Sequence, residues 1–137
     1  MSRRLTREAI FKALFQVEVG GIKPGKALQY SLEGLFLTPE ETELASEIFA
    51  GVIREQDFLD EKIKPYLVGW ELERLASVDR CLLRMALYEI MYRDDIPHVV
   101  SINEALELAK KYSVPESVSF INGILDNISG NLLAEEK

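Results

Sequence analysis

The chain has 137 residues, of which 47% are hydrophobic and 28% charged, a composition typical of one compact globular domain. Its formal charge of −7 argues against a nucleic-acid-binding domain of the usual basic kind. One cysteine, one histidine and no apolar run of about 20 residues exclude an intramolecular disulfide, a Cys/His zinc site and a membrane span, so a reducing cytoplasm is the expected location.

Helical periodicity runs through the first half of the chain, and no segment shows the sustained alternation of a strand. The first predicted helix ends at Gly20-Gly21, and Pro24 suits the first turn of the second. Thr38-Pro39-Glu40-Glu41 is a capping-box pattern that begins a third helix. Its continuation over residues 57–64 ends at Pro65.

The second half contains the most apolar helix, which begins at Ser77 and ends at residues 94–97. Apolar residues cover more than one of its faces, which predicts a central helix. A second capping-box pattern, Ser101 to Glu104, predicts the start of the next helix, and Pro115 begins the last one. The prediction is an all-α fold of about seven helices, with a break near residues 65–70.

Charge is unevenly distributed along the chain. Residues 1–12 carry four basic side chains against Glu8, a local charge of +3, whereas residues 38–62 carry eight acidic side chains against two basic ones. Arginine can bind phosphate and stack on bases, so the first segment is chemically suited to RNA or DNA. Both segments are also typical of ordinary solvated surface.

Other reactive side chains form no catalytic constellation. The carboxylates of residues 57–61 share a helical face that reads as solvated surface. Cys81 lies beside an apolar stripe, about a helix length from His98, which argues against a nucleophilic pair. Gly123 interrupts an apolar helix, which predicts close helix–helix packing or a ligand there. We expect no enzymatic activity, no metal and no cofactor.

Three segments carry distinctive motifs. Arginines precede Ala-Leu-Phe in residues 3–15. Val-Asp-Arg precedes Leu-Arg-Met-Ala-Leu-Tyr-Glu in residues 78–89, and residues 96–126 include Ile-Asn-Glu-Ala and Phe-Ile-Asn-Gly-Ile-Leu-Asp. In this order and spacing the segments resemble the NusB transcription antitermination family. The resemblance implies one RNA-binding helical domain made of an N-terminal bundle, residues 1–65, and a C-terminal bundle, residues 66–137.

The resemblance also implies a function and its partners. Family members bind the boxA element of ribosomal RNA operons together with NusE, a small-subunit ribosomal protein, and help deliver both to RNA polymerase. The implied RNA-binding residues are Arg3, Arg4, Arg7, Glu116, Ser117 and Phe120. The implied contact with the protein partner is Asp79, at the head of the central helix.

Several alternatives stay open at this stage. A few arginines on an acidic body predict weak, salt-sensitive RNA binding that depends on a basic partner. Phe120 either stacks on an unpaired base or packs in the core. A second hypothesis is a protein–protein adaptor that uses the acidic helical face from Glu40 to Glu61 and makes no RNA contact. Both a monomer and a homodimer are compatible with the sequence.

Overall fold

The computed structural model describes the backbone of residues 3–135 and the side chains of residues 4–135. These residues form seven α-helices: α1 (Arg3–Gly20), α2 (Pro24–Leu32), α3 (Pro39–Arg54), α4 (Gln56–Ile63), α5 (Ser77–Tyr92), α6 (His98–Tyr112) and α7 (Pro115–Glu135). Two short 3-10 turns, Lys64–Tyr66 and Leu72–Arg74, lie between α4 and α5, and the described residues contain no strand. The predicted all-α fold of about seven helices is confirmed.

Local signals explain most of the helix ends. The Thr38 hydroxyl accepts a hydrogen bond from the Glu41 backbone N–H at 3.1 Å, and Glu41 accepts one from the Thr38 N–H at 3.0 Å. This reciprocal pair satisfies two of the N–H groups that α3 leaves free at its start. Gly21 follows α1 with a φ of 64°, a left-handed conformation that glycine adopts without strain.

The predicted start of α6 at Ser101 is wrong. The helix begins three residues earlier, at His98, directly after Pro97. Ser101 therefore lies inside the first turn, and its hydroxyl donates to the Glu89 carboxylate at 2.8 Å instead of capping the helix. A serine hydroxyl inside a helix can bond to a neighbouring element as readily as to its own backbone, and the local pattern does not distinguish the two roles.

Helix α5 lies at the centre of the fold, as its apolar pattern predicts. It packs against α1, α3, α4, α6 and α7, and it contributes most of its side chains to the core. The buried apolar residues form one continuous cluster that runs from Ile10 in α1 to Ile128 in α7. The core is continuous across residue 65, so it marks no boundary between the two predicted bundles. The division at this residue stays a prediction.

Two glycines have opposite surroundings. Gly51 in α3 is buried against α5, and a Cβ built there would overlap the ring of Tyr88. Gly123 in α7 is exposed, and a Cβ built there would have nothing within 4 Å. The close helix–helix packing predicted at Gly123 is therefore wrong, and the close approach occurs at Gly51.

None of the helices in residues 3–135 combines the length and apolar character that crossing a membrane requires.

Candidate functional site

The N-terminal half of α1 lies along α6, and charged residues meet at the seam. Arg4 makes two hydrogen bonds to Glu104, at 2.9 and 3.1 Å, while 64% of its side chain stays exposed. Lys111 and the Tyr112 hydroxyl both donate to Glu8, at 2.6 and 2.8 Å. The side chain of Arg3, another predicted RNA contact, lies outside the described residues.

These contacts shift the acid strength of the carboxylates. The hydrogen bond from Arg4 lowers the pKa of Glu104, and the hydrogen bond from Lys111 lowers the pKa of Glu8. Glutamate is ionised at neutral pH without such a shift, and the lowered pKa values of Glu104 and Glu8 show that the paired cations favour the charged carboxylates.

The seam presents a surface of mixed charge, which we call the α1–α6 face. Its members are Arg4, Glu8, Lys12, Glu104, Glu107, Lys110 and Lys111. It carries four cations against three carboxylates, so its net charge is smaller than the +3 counted in residues 1–12. Sequence reasoning missed Lys110 and Lys111, because nothing local shows that the end of α6 meets α1.

Arg7 differs from Arg4, although the two are one helical turn apart. Only 4% of Arg7 is exposed. Its guanidinium contacts both oxygens of the buried Glu89, at 2.8 and 2.9 Å, and Glu89 also accepts the hydrogen bond from Ser101. In this position Arg7 joins α1 to α5 and α6 and does not face solvent.

The other predicted site residues surround one cleft of about 270 Å³. We call it the Trp70–Phe120 cleft. It is lined by Trp70, Arg74, Leu75, Ala76, Asp79, Glu116, Ser117 and Phe120. The structure thus brings the predicted partner contact and three predicted RNA contacts to the same place.

Asp79 is buried at the base of this cleft. Its two carboxylate oxygens accept hydrogen bonds from the hydroxyls of Ser113, at 2.7 Å, and Ser117, at 2.6 Å. These bonds connect the start of α5 to the junction between α6 and α7. Asp79 and Ser117 therefore hold the cleft together, and Glu116, the residue before Ser117, is exposed at its rim.

Two aromatic rings form one wall of the cleft. Phe120 is half-buried, and its ring centroid lies 6.1 Å from that of Trp70 at an interplanar angle of 65°. Trp70 is 59% exposed, although tryptophan is usually well buried on average. Sequence reasoning missed Trp70 and the exposed Arg74. The only signal for either was the position of the single tryptophan just before the central helix.

The acidic segment from residue 38 to 62 is partly neutralised. Glu41 caps α3, Glu47 pairs with Arg93 at 2.9 Å, and Asp60 pairs with Arg84 at 2.7 Å. Glu40 and Glu43 are exposed on α3. Across the part of the chain that the structure describes, no group of three or more His, Cys, Asp or Glu side chains is arranged to hold a metal ion.

Cys81 and His98 have separate surroundings in the structure, as their separation in the sequence suggests. His98 is hydrogen-bonded through Nδ1 to the Ser129 hydroxyl at 2.7 Å. Cys81 is buried, and burial raises the pKa of its thiol to about 12. A thiol with this pKa holds almost no thiolate at neutral pH, and the thiolate is the reactive form.

The native protein is therefore expected to resist thiol reagents. We expect Ellman's reagent to leave Cys81 unmodified at mildly alkaline pH and to label one thiol per chain once guanidinium chloride unfolds the protein. Labelling of the folded protein as fast as of the unfolded protein would contradict the buried position of this thiol.

Comparison with known proteins agrees with this fold. Residues 4–130 match the model of the NusB family. The transcription antitermination protein NusB of Bacillus velezensis is 45% identical over 133 residues, which span 96% of this chain and 98% of that protein. A structure of T. maritima NusB superposes with a TM-score of 0.89 at 39% identity and covers 95% of this chain and 92% of that one.

A third comparison shows the fold alone. It is a crystal structure of the antitermination factors NusB and NusE in complex with double-stranded RNA, with a TM-score of 0.86, 23% identity and coverage of 96% of this chain and 99% of that one. The expected absence of enzymatic activity agrees with the function for which the relatives are named. On this sequence match along nearly its whole length, the chain belongs to the NusB family of transcription antitermination factors.

Proposed function

We propose that this protein binds boxA RNA of ribosomal RNA operons together with NusE and acts on RNA polymerase in an antitermination complex. One observation carries the proposal: the α1–α6 face and the Trp70–Phe120 cleft are joined by residues 111–117. Lys111 contacts Glu8 in the first, and Ser113 and Ser117 hold Asp79 in the second. The fold shared with a NusB structure solved with NusE and RNA supports the same conclusion.

The two surfaces have complementary chemistry for single-stranded RNA. The cleft offers the faces and edges of two aromatic rings, and stacking one base on such a ring is worth about 1–3 kcal/mol. Arg74 at its rim and the cations of the α1–α6 face are suited to phosphate. Stacking in the cleft and phosphate contacts beside it together suit a short unpaired segment.

The cations of the α1–α6 face limit the affinity of the protein alone. Arg4, Lys110 and Lys111 already pair with Glu104, Glu107 and Glu8. A phosphate competes with the paired carboxylate for each of these cations, so part of the electrostatic gain is lost. A basic partner bound next to the RNA, which we propose to be NusE, supplies further positive charge to the same RNA.

The predicted RNA contacts have distinct roles in this proposal. Arg3 and Arg4 bind phosphate, Phe120 stacks on a base, and Glu116 lies at the rim of the Trp70–Phe120 cleft. Ser117 positions the cleft through Asp79. Arg7 supports the start of α1 from inside through Glu89 and does not touch RNA.

The proposal predicts that removal of two cations from the α1–α6 face weakens RNA binding. We expect Arg4→Gln combined with Lys111→Gln to lower the affinity for a labelled boxA RNA about tenfold at physiological salt. The slope of log K against log salt should become shallower by about 1.4, because each phosphate contact on a single strand contributes about 0.7. Fluorescence anisotropy at several salt concentrations, with and without NusE, measures both quantities.

Lys26→Gln is the matched control, since Lys26 is an exposed lysine on α2, which packs mainly against α1 and α3. It should leave affinity and slope unchanged. Equal binding by the control and the double variant would refute the α1–α6 face as the RNA surface. Absence of any RNA cross-link to the wild-type protein, with NusE binding intact, would support the protein–protein adaptor that uses the acidic face around Glu40 to Glu61.

A further inference from the structure

The segment that carries Trp70 has little structure of its own. Residues 67–76, which we call the connector, contain Gly69 with a φ of 78° and one 3-10 turn. Three backbone hydrogen bonds lie within the connector, and the N–H groups of Trp70, Arg74 and Leu75 donate them. The connector nevertheless supplies half of the residues that line the Trp70–Phe120 cleft.

Arg80 on α5 binds the connector from beneath. Its Nη1 donates to three backbone carbonyls, those of Leu75 at 3.0 Å, Leu72 at 3.2 Å and Glu73 at 3.3 Å. Its Nη2 contacts the Ser77 hydroxyl at 3.3 Å. The guanidinium thus gives the carbonyls of Glu73 and Leu75, at the end of the short 3-10 turn, a hydrogen-bond donor, and it shares the Leu72 carbonyl with the Leu75 N–H.

Glu18 fixes the orientation of this guanidinium. Its Oε1 accepts from Arg80 Nε at 2.9 Å, and its Oε2 accepts from Arg84 at 3.2 Å. The Arg80 side chain is 13% exposed, so it is bound on both sides and largely shielded from solvent. A planar fork of donors can bridge a carboxylate and several carbonyls at once, whereas the point charge of lysine cannot.

We propose that Arg80 is a positioning residue for RNA binding, which holds the connector so that Trp70 stays beside Phe120, and that it makes no contact with RNA. This inference rests on the proposed function, because it names the residue that forms the cleft used there. Glu18 acts through Arg80 in the same role.

The test uses Arg80→Met, which keeps the aliphatic stem and removes the donors. We expect the affinity for boxA RNA to fall about tenfold, the loss of roughly one stacked base. The salt slope should stay unchanged, because no phosphate contact is removed. Trp70 is the only tryptophan, so its emission and its quenching by acrylamide should show greater exposure in the same variant.

Two further variants separate positioning from general destabilisation. In a Trp70→Ala background, Arg80→Met should cost no further RNA affinity, because its effect passes through Trp70. Arg80→Lys keeps the charge but not the fork, and it should expose Trp70 and weaken RNA binding even if Arg80→Met fails to fold. Urea unfolding followed by circular dichroism verifies that each variant is folded in the binding experiment.

The outcomes distinguish this inference from the proposed function. If the wild-type protein does not bind boxA RNA with or without NusE, the proposed function is overturned. If the wild-type protein binds and Arg80→Met binds equally well, only the inference is overturned. A shallower salt slope in Arg80→Met would also overturn it, because that result assigns Arg80 a direct phosphate contact.

Discussion

Glu89→Gln is expected to lower the free energy of unfolding by about 3–5 kcal/mol, because it leaves the buried charge of Arg7 without a counterion. Glu89 is 1% exposed and accepts hydrogen bonds from Arg7 and Ser101. Glutamine keeps the side-chain shape and an oxygen that can accept the hydrogen bond from Ser101. The loss of stability therefore measures the effect of removing the negative charge. A domain is typically stable by only about 5–15 kcal/mol, which makes this a large fraction of the total. Urea denaturation followed by circular dichroism measures it.

Two controls identify the cause of this loss. Arg7→Met in the Glu89→Gln background should recover most of the stability, because removing both charges removes the uncompensated one. Arg4→Gln breaks the exposed pair with Glu104 and should cost less than about 1 kcal/mol. If Glu89→Gln costs no more than Arg4→Gln, the buried pair does not stabilise the fold as described.

Gly51→Ala is expected to destabilise the protein by about 3 kcal/mol, at the upper end of the range for overpacked cores. The added methyl would overlap the ring of Tyr88, which is buried and stacked on Tyr92 with ring centroids 4.8 Å apart. Relief of the overlap requires α3 to move away from α5 or the tyrosine to leave its site. Thermal and urea unfolding measure the effect.

Gly123→Ala provides the matched control, because it makes the same chemical change in an exposed helix position with open space around it. It should stabilise the protein by up to about 1 kcal/mol, the difference in helix propensity between the two residues. In a Tyr88→Ala background the added methyl no longer overlaps a ring. Gly51→Ala should then become neutral or stabilising, because alanine has the higher helix propensity. A destabilising effect that persists without the tyrosine ring would show that the overlap is not its cause.

The fold could be predicted from sequence because its signals are local. Helix ends follow from Thr38, Gly21 and Pro115, and the apolar pattern of α5 indicates a helix packed on several sides. The start of α6 was predicted wrongly because Ser101 has the pattern of a cap, yet its hydrogen-bond partner is Glu89 on another helix. The local signal was real, but a tertiary contact determined the use of the hydroxyl.

The site could be predicted only in part, because it depends on contacts between distant segments. Arg4 and Arg7 look equivalent in the sequence, yet one is exposed and the other buried, and their partners lie 100 and 82 positions away. Apart from the position of the single tryptophan, Trp70 and Arg74 gave no signal, since nothing local shows that Arg80 holds the carbonyls of their segment. The same limit applies to Gly51 and Gly123, since residue type alone does not show which one faces a neighbouring ring.

The buried pair between Arg7 and Glu89 has a consequence for synthesis on the ribosome. Arg7 is translated before its counterion, because the Glu89 carboxylate that stabilises the buried guanidinium follows 82 residues later in the chain. Until then the guanidinium stays in water, because burial of an unpaired charge costs several kcal/mol. The turn of α1 that carries Arg7 therefore packs against α5 only after Glu89 has left the exit tunnel.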